Sequence, residues 1–147
     1  MLNGIDPRTS AELLSVLAHM GHGDEIVVAD ANYPAARTVH SCTHDIVISY
    51  PGHNAALVCD LITKLMPLDG FHDHAALRME VDKAPNEMTD AHTEVWQLLE
   101  QRLPENAVLA SIERHAFYQR AAKAFAVVHC GETRPYGCFI LRKGVVF

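Results

Sequence analysis

The chain has a single tryptophan, only four cysteines, fewer basic than acidic residues, and no long apolar run. Each scarcity excludes something. Its hydrophobic stretches are short and broken by charge, so no membrane-spanning helix is expected. Lys and Arg number 12 against 18 Asp and Glu, a formal net charge of -6. General affinity for nucleic acid needs a basic face to neutralise phosphates, so no such partner is expected. The opening segment MLNGIDPRTS lacks the basic flank and apolar core of a secretory signal, which makes a cytoplasmic location the expectation. Cys42, Cys59, Cys130 and Cys138 show no close-paired zinc or redox spacing and read as reduced, semi-buried thiols. No G-x-G-x-x-G follows a strand, no Walker A pattern occurs, and GHGDE lacks the serine of a nucleophile elbow. No nucleotide cofactor is indicated.

What is present is one domain, 1–147, with a hydrophobic fraction of 49% that is enough for a single core. Helix and strand alternate without linker or repeat. Thr9 and Glu12 form a capping-box pattern before SAELLSVLAHM, whose Leu13, Leu14, Leu17 and Met20 recur at helical spacing. Gly21 stops that helix, and EIVVAD reads as a buried strand ending at Asp30. DIVISY, ALRMEV and AVLASIE are further strands; NAALVCDLITKLM, AHTEVWQLLEQRL and HAFYQRAAKAF are helices. Two closing β segments, AFAVVHCG and GCFILRKGVVF, are joined by ETRPY, where Tyr136 would cap a hairpin. The pattern is that of a layered α/β domain.

Ten histidines raise the question of metal. His40, Cys42 and His44 would share one face if HSCTH were a strand, and His72, Asp73 and His74 stand in a row. Neither cluster has the helix-borne logic of H-E-x-x-H. Both read as solvated segments, and no metal is expected.

The remaining polar residues of interest stand at the ends of apolar elements. His22 lies between Gly21 and Gly23 and is followed by Asp24 and Glu25, the setting of a ring at an exposed bend rather than in a core. Asp30, Arg114, Tyr118 and Tyr136 are its counterparts elsewhere. Singly, each has a plain explanation: a solvent-facing turn, a turn-forming aspartate, a surface ion pair, a half-buried ring, a hairpin cap. Together they form a pattern.

That pattern resembles the L-fucose mutarotases and D-ribose pyranases. The likeness lies in ELLSVLAHMGHGDEIVVADANYPA and in SIERHAFYQRAAKAFAVVHCGETRPYGCFILRKGVVF; the stretch from about Arg37 to Pro104 carries no matching motif. An arginine at position 114, where the ribose branch has histidine, is similar to the fucose branch. The resemblance implies that His22 is the catalytic histidine and that Asp30, Arg114 and Tyr118 contact the sugar. The family's closing Y-x-N segment falls on Tyr136, Gly137 and Cys138, so a thiol stands where asparagine is usual. It further implies a fold of the ribose pyranase/fucose mutarotase type. The expected assembly is a ring-shaped homo-oligomer, a decamer, with sites completed by a neighbouring subunit. No cofactor or metal is implied. The apolar ILRKGVVF terminus fits burial in a core or an interface.

The chemistry suits these residue types. Mutarotation opens a cyclic hemiacetal and recloses it on the other carbonyl face, with one proton leaving the anomeric hydroxyl and one reaching the ring oxygen. An imidazole, with an ordinary pKa of about 6.5, serves in both directions. Two functions follow: a monosaccharide mutarotase acting on L-fucose or a related sugar, or a non-catalytic sugar-binding module serving transport or regulation, which the thiol at 138 favours.

Overall fold

The computed structural model describes residues 1–147. Its elements run α1 (Ala11–His19), β1 (Glu25–Ala29), α2 (Ala35–Thr38), β2 (Ile48–Tyr50), α3 (Ala55–Leu65), β3 (Ala76–Met79), α4 (Asp90–Glu100), β4 (Leu109–Ile112), α5 (Arg114–Ala121), β5 (Ala126–Cys130) and β6 (Phe139–Arg142), with one 3-10 turn over Val39–Ser41. The six strands form one sheet in the order β2-β5-β1-β6-β3-β4. Neighbouring pairs are parallel except for β6, which runs antiparallel to both β1 and β3. The alternation of the pleat feeds two cores. Ile26 and Val28 pack with Leu13, Leu17, Ile62 and Leu99 of the α1, α3 and α4 layer. Val27 and Ala29 pack with Phe117, Ala121 and Tyr33 on the α2 and α5 side. Cover on both faces explains why β1 reads as a continuous apolar run rather than an alternating one.

Several expectations shift in detail. The cap of α1 is Ser10, whose hydroxyl accepts the Leu13 amide at 3.1 Å; Glu12 is one residue too early for a box with it. The capping box in the chain is Thr89 with His92 at the start of α4. DIVISY yields only the three residues of β2, because β2 is an edge strand that pairs with β5 alone. The two closing segments do not form a hairpin, since β1 lies between β5 and β6. The connecting loop must therefore cross the end of β1. All four cysteines are free and buried. Of the terminal segment, Ile140 to Arg142 are buried, whereas Val146 and Phe147 protrude at 85% and 105% exposure.

At the start of β1 a cluster of ions is taken into the protein. Glu25 accepts from Arg120 at 2.9 Å, from Arg142 at 3.0 Å and from His74 Nε2 at 2.9 Å. Burial alone would raise its pKa. The His74, Arg120 and Arg142 bonds outweigh that and bring it down to about 2. Because this folded-state value lies below the unfolded one of about 4.3, the carboxylate stabilises the fold fully above that pH. The contribution disappears as pH falls toward 2. Glu25→Gln takes the carboxylate away from the buried Arg142, which keeps only the exposed Asp73, and from the part-exposed Arg120, so a loss of at most about 3–5 kcal/mol at neutral pH is expected in urea unfolding. The variant's stability should also decline less steeply with acid between about pH 4.5 and 2; a wild-type acid limb in the variant would show that Glu25 carries none of it.

Candidate functional site

Strand β6 brings two distant turns together at the amino end of β1. On one side the Gly23 amide donates to the Lys143 carbonyl at 2.9 Å, and the Lys143 amide donates to the Asp24 carbonyl at 2.9 Å. On the other, the Asp69 amide donates to Arg142 O at 3.1 Å. Gly23 has φ +86, a left-handed conformation that a side chain resists, so the glycine after His22 is required by the turn. The Lys143 ammonium closes α1 by donating to the carbonyls of Leu17 and Met20. His22 is thereby set opposite Asp69.

The contact between them is direct. His22 Nε2 lies 2.9 Å from Asp69 Oδ1, with the imidazole side chain 40% exposed and the carboxylate at 0%. Asp69 Oδ2 is 2.6 Å from His72 Nδ1, and the amides of Phe71 and His72 also donate to this carboxylate. Burial would raise the Asp69 pKa, but the hydrogen bonds from His22 and His72 hold it well below the usual carboxylate range. An ionised carboxylate only accepts, so Nε2 of His22 carries a proton, and in the neutral ring Nδ1 keeps its lone pair. Nδ1 makes no hydrogen bond within the chain. The result is an imidazole oriented on one nitrogen and free to act as a base with the other.

The other candidates gather at the opposite end of β1. The loop from β5 to β6 crosses here: the Ala31 amide donates to Glu132 O at 2.8 Å, and the Asp30 amide donates to Cys138 Sγ at 3.4 Å. Cys138 is 1% exposed, and its thiol is pushed up by burial, then by the nearby Asp30 charge. Its side chain supports Asp30 from beneath and does not face solvent. This corrects the expectation of a thiol presented to ligand. Gly137 has no room for a side chain, since a Cβ would come within 2.6 Å of Glu132 Cγ. Tyr136 adopts φ 58, unusual for a residue with a side chain. Its carbonyl is held at 2.9 Å by Nε2 of the fully buried His92, whose Nδ1 accepts the Thr89 amide. Arg114 opens α5, donates to Asp82 at 3.0 Å and sits 5.9 Å above the Tyr118 ring. Tyr118 in turn lies 5.3 Å from Tyr33.

Asp30, Arg114, Tyr118, Tyr136, Gly137 and Cys138 thus share the carboxyl edge of the parallel strands, the usual ligand side of an open α/β sheet. His22 does not join them. The five residues of β1 separate it from Asp30 by roughly 17 Å at about 3.3 Å per residue. Asp69 escaped sequence reasoning because its only local cue, the LDG turn after Pro67, is shared by countless loops. The metal expectations divide. His40, Cys42 and His44 lie on a 3-10 turn and loop rather than a strand, with Cys42 bonded to Ala121 O and His44 to Glu12. Of the second trio, only His72 joins His22 and Asp69, with donor atoms all within 4.8 Å of one another.

Comparison with known proteins extends the likeness to the whole chain, including its motif-poor middle. The sequence profile of the RbsD / FucU transport protein family matches residues 3–146. The fucose mutarotase of Homo sapiens is 44% identical over 148 residues, covering 99% of this chain and 94% of that protein. The crystal structure of protein Atu2016 superposes with a TM-score of 0.94 at 38% identity, covering 100% of this chain and 97% of the other. The fucose mutarotase from Streptococcus pneumoniae in complex with L-fucose gives 0.86 at 37% identity, covering 99% and 100%. No helix is long and apolar enough to cross a membrane.

The Asp69 contact makes a measurable demand on His22. A charge-assisted hydrogen bond contributes about 1.5–3 kcal/mol, which biases the neutral ring toward the Nε2–H tautomer by roughly ten- to a hundredfold. Long-range 1H–15N spectra should show that tautomer in the wild type and a mixture in Asp69→Asn. Equal tautomer populations in both proteins would mean that Asp69 does not orient the ring.

Proposed function

The chain belongs to the RbsD / FucU transport protein family, and from that premise we propose that it is an isomerase, a mutarotase interconverting the α and β anomers of L-fucose. The observation that carries this reading is the His22–Asp69 pair: a base held by a buried carboxylate, with its free nitrogen outward. His22 Nδ1 takes the proton of the anomeric hydroxyl as the bond from C1 to the ring oxygen breaks. The imidazolium so formed returns a proton to the ring oxygen, directly or through water, and an open-chain aldehyde results. Rotation about the bond from C1 to C2 presents the other carbonyl face, and the steps reverse. Protons balance and no electrons are exchanged. Positioned acid–base help of about a hundred- to ten-thousandfold suffices for a reaction that already proceeds in water.

The sugar is bound by the carboxyl edge. Asp30 accepts from sugar hydroxyls, Arg114 donates in a fixed fork, and Tyr118 and Tyr136 offer hydroxyls and flat apolar faces. Cys138 acts through Asp30, whose amide it receives. Since His22 stands at the other edge, a complete site takes His22 from one copy and the binding residues from the next, within a ring-shaped homo-oligomer of ten subunits. The apolar patch beside His22 supports this arrangement. Phe71 packs edge-on to the His22 ring at 5.5 Å, Phe147 lies 6.5 Å from Phe71, and both aromatic side chains are exposed in the single chain. The four free thiols fit a reducing, cytoplasmic setting.

Exchange NMR of L-fucose tests the chemistry. His22→Gln should fold, assemble and bind the sugar, yet lose the exchange between anomeric signals by at least about a hundredfold; persistent exchange would remove His22 from the mechanism. Chelator-treated wild type should retain full activity.

The shared site can be tested by mixing. His22→Gln and Asp30→Asn should each be inactive alone, and co-assembled in equal amounts they should restore activity at about a quarter of the sites, those that draw both intact residues. No recovery in verified mixed oligomers would place both residues in one subunit's site.

A further inference from the structure

The histidine-rich segment after Asp69 has a use that mutarotation does not require. Its three residues part company in the fold: His74 is buried against Glu25, Asp73 bonds Arg142, and His72 turns back to Asp69. We propose that His22 Nε2, the Asp69 carboxylate and His72 Nδ1 form a site for a divalent cation of the zinc class, and that filling it switches off proton transfer. The regulatory part rests on the reading of His22 as the base.

The donor set and its spacing fit such an ion. Two imidazoles and one carboxylate are borderline-to-hard donors of the kind zinc and cobalt accept. The observed contacts of 2.9 and 2.6 Å are somewhat shorter than the separation of about 3.3 Å between adjacent ligands of a tetrahedral zinc with bonds of about 2.0–2.1 Å, so the rings must draw back by a few tenths of an ångström to admit the ion. The two rings contact different oxygens of the carboxylate, Oδ1 and Oδ2, so an ion on its outward side would meet both rings after small side-chain rotations. The third distance, between the two imidazole nitrogens, is also within 4.8 Å. The carboxylate is enclosed and anchored by the Phe71 and His72 amides, as an outer shell anchors a ligand. The two rings, at 40% and 47% exposure, leave the outward side open for water to complete the coordination. Without His72 only two donors would remain, a poor site for any ion.

Occupation has a defined chemical consequence. A metal bound through Nε2 displaces the proton that now points at Asp69, and a neutral imidazole keeps one proton only by carrying it on Nδ1. That nitrogen is the one required to accept the sugar's proton. His72 undergoes the mirror change, from Nδ1 to Nε2, so the two neutral rings bind the ion without net proton release. The switch needs no movement of backbone and acts on the base itself.

Zinc titration of the chelator-treated protein by calorimetry, with cobalt absorption as a second readout, tests the site independently of turnover. The expected result is one ion per chain in wild type, at least about tenfold weaker binding in His72→Ala, and wild-type binding in a His44→Ala control. On adding zinc, 1H–15N spectra should show the His22 proton moved to Nδ1. Zinc should suppress L-fucose exchange in wild type, with recovery on chelation, while exchange by His72→Ala, measured against that variant's own zinc-free rate, should be unchanged by zinc. Absence of saturable zinc binding, or equal binding by His72→Ala and wild type, overturns the proposal. If metal-free wild type shows no mutarotation at all, the base assignment fails while the titration still decides whether the site exists.

Discussion

The antiparallel insertion of β6 between β1 and β3 is the constraint on which the rest of the molecule depends. Its pairing with β1 runs from Glu25 opposite Arg142 to Val28 opposite Phe139, and its pairing with β3 from Ala76 opposite Leu141 to Arg78 opposite Phe139. Because it runs against its neighbours, its first residues lie at their carboxyl ends and its last at their amino ends. The entering chain therefore lays Tyr136 to Cys138 over Asp30. The departing chain joins the His22 turn to the Asp69 turn through Lys143 and Arg142. A parallel β6 would have left neither end organised, and Arg142 would not reach Glu25.

Three carboxylates show how the fold makes use of buried charge. Glu25, Asp69 and Glu132 are all held below their ordinary range. Glu25 is matched by guanidinium groups and belongs to the stability of the sheet's amino edge. Glu132 is brought to about 2, first by Arg134 and then by amides including that of Ala55, and it stiffens the crossing loop. Asp69 differs because its side-chain partners are two imidazoles rather than fixed cations. Its charge is therefore available to orient a group that can itself gain or lose a proton. Buried ion pairs generally contribute little beyond their desolvation cost, so their value here lies in fixing geometry.

The legibility of this protein in its sequence followed the range of each interaction. Helices α1, α3 and α4 were readable from local periodicity, and the His22 turn from its two glycines, because φ at Gly23 is a local property. The hairpin expected between the last two strands was wrong, since nothing in ETRPY announces that another strand must fit beneath it. Asp69 was invisible for the same reason: its bond to His22 spans 47 residues and exists only because β6 holds two loops side by side. Cys138 is read from its place in the family's closing segment, whereas its burial is set by the apolar cluster around Phe117 and Ile140, where its thiol accepts the amide of Asp30, 108 residues away. His92 gave no signal either, although it holds the strained Tyr136 through a single carbonyl.

If His22 is the base and Asp30 binds sugar, as proposed, their separation has a consequence for how such a chain works. Within one chain, the length of β1 then keeps the two from acting on the same sugar, however well each is positioned. On the proposed reading, catalysis is then a property of the contact between copies, and the exposed Phe71 and Phe147 beside His22 belong to the same requirement as the base. The arrangement also relieves a conflict. A base near a sugar-binding carboxylate such as Asp30 in the same rigid edge would share its hydrogen bonds, and the ring would be oriented by Asp30 as readily as by its own partner. Keeping Asp69 enclosed at one edge and Asp30 at the other lets one carboxylate orient the imidazole while the other remains free for hydroxyl groups.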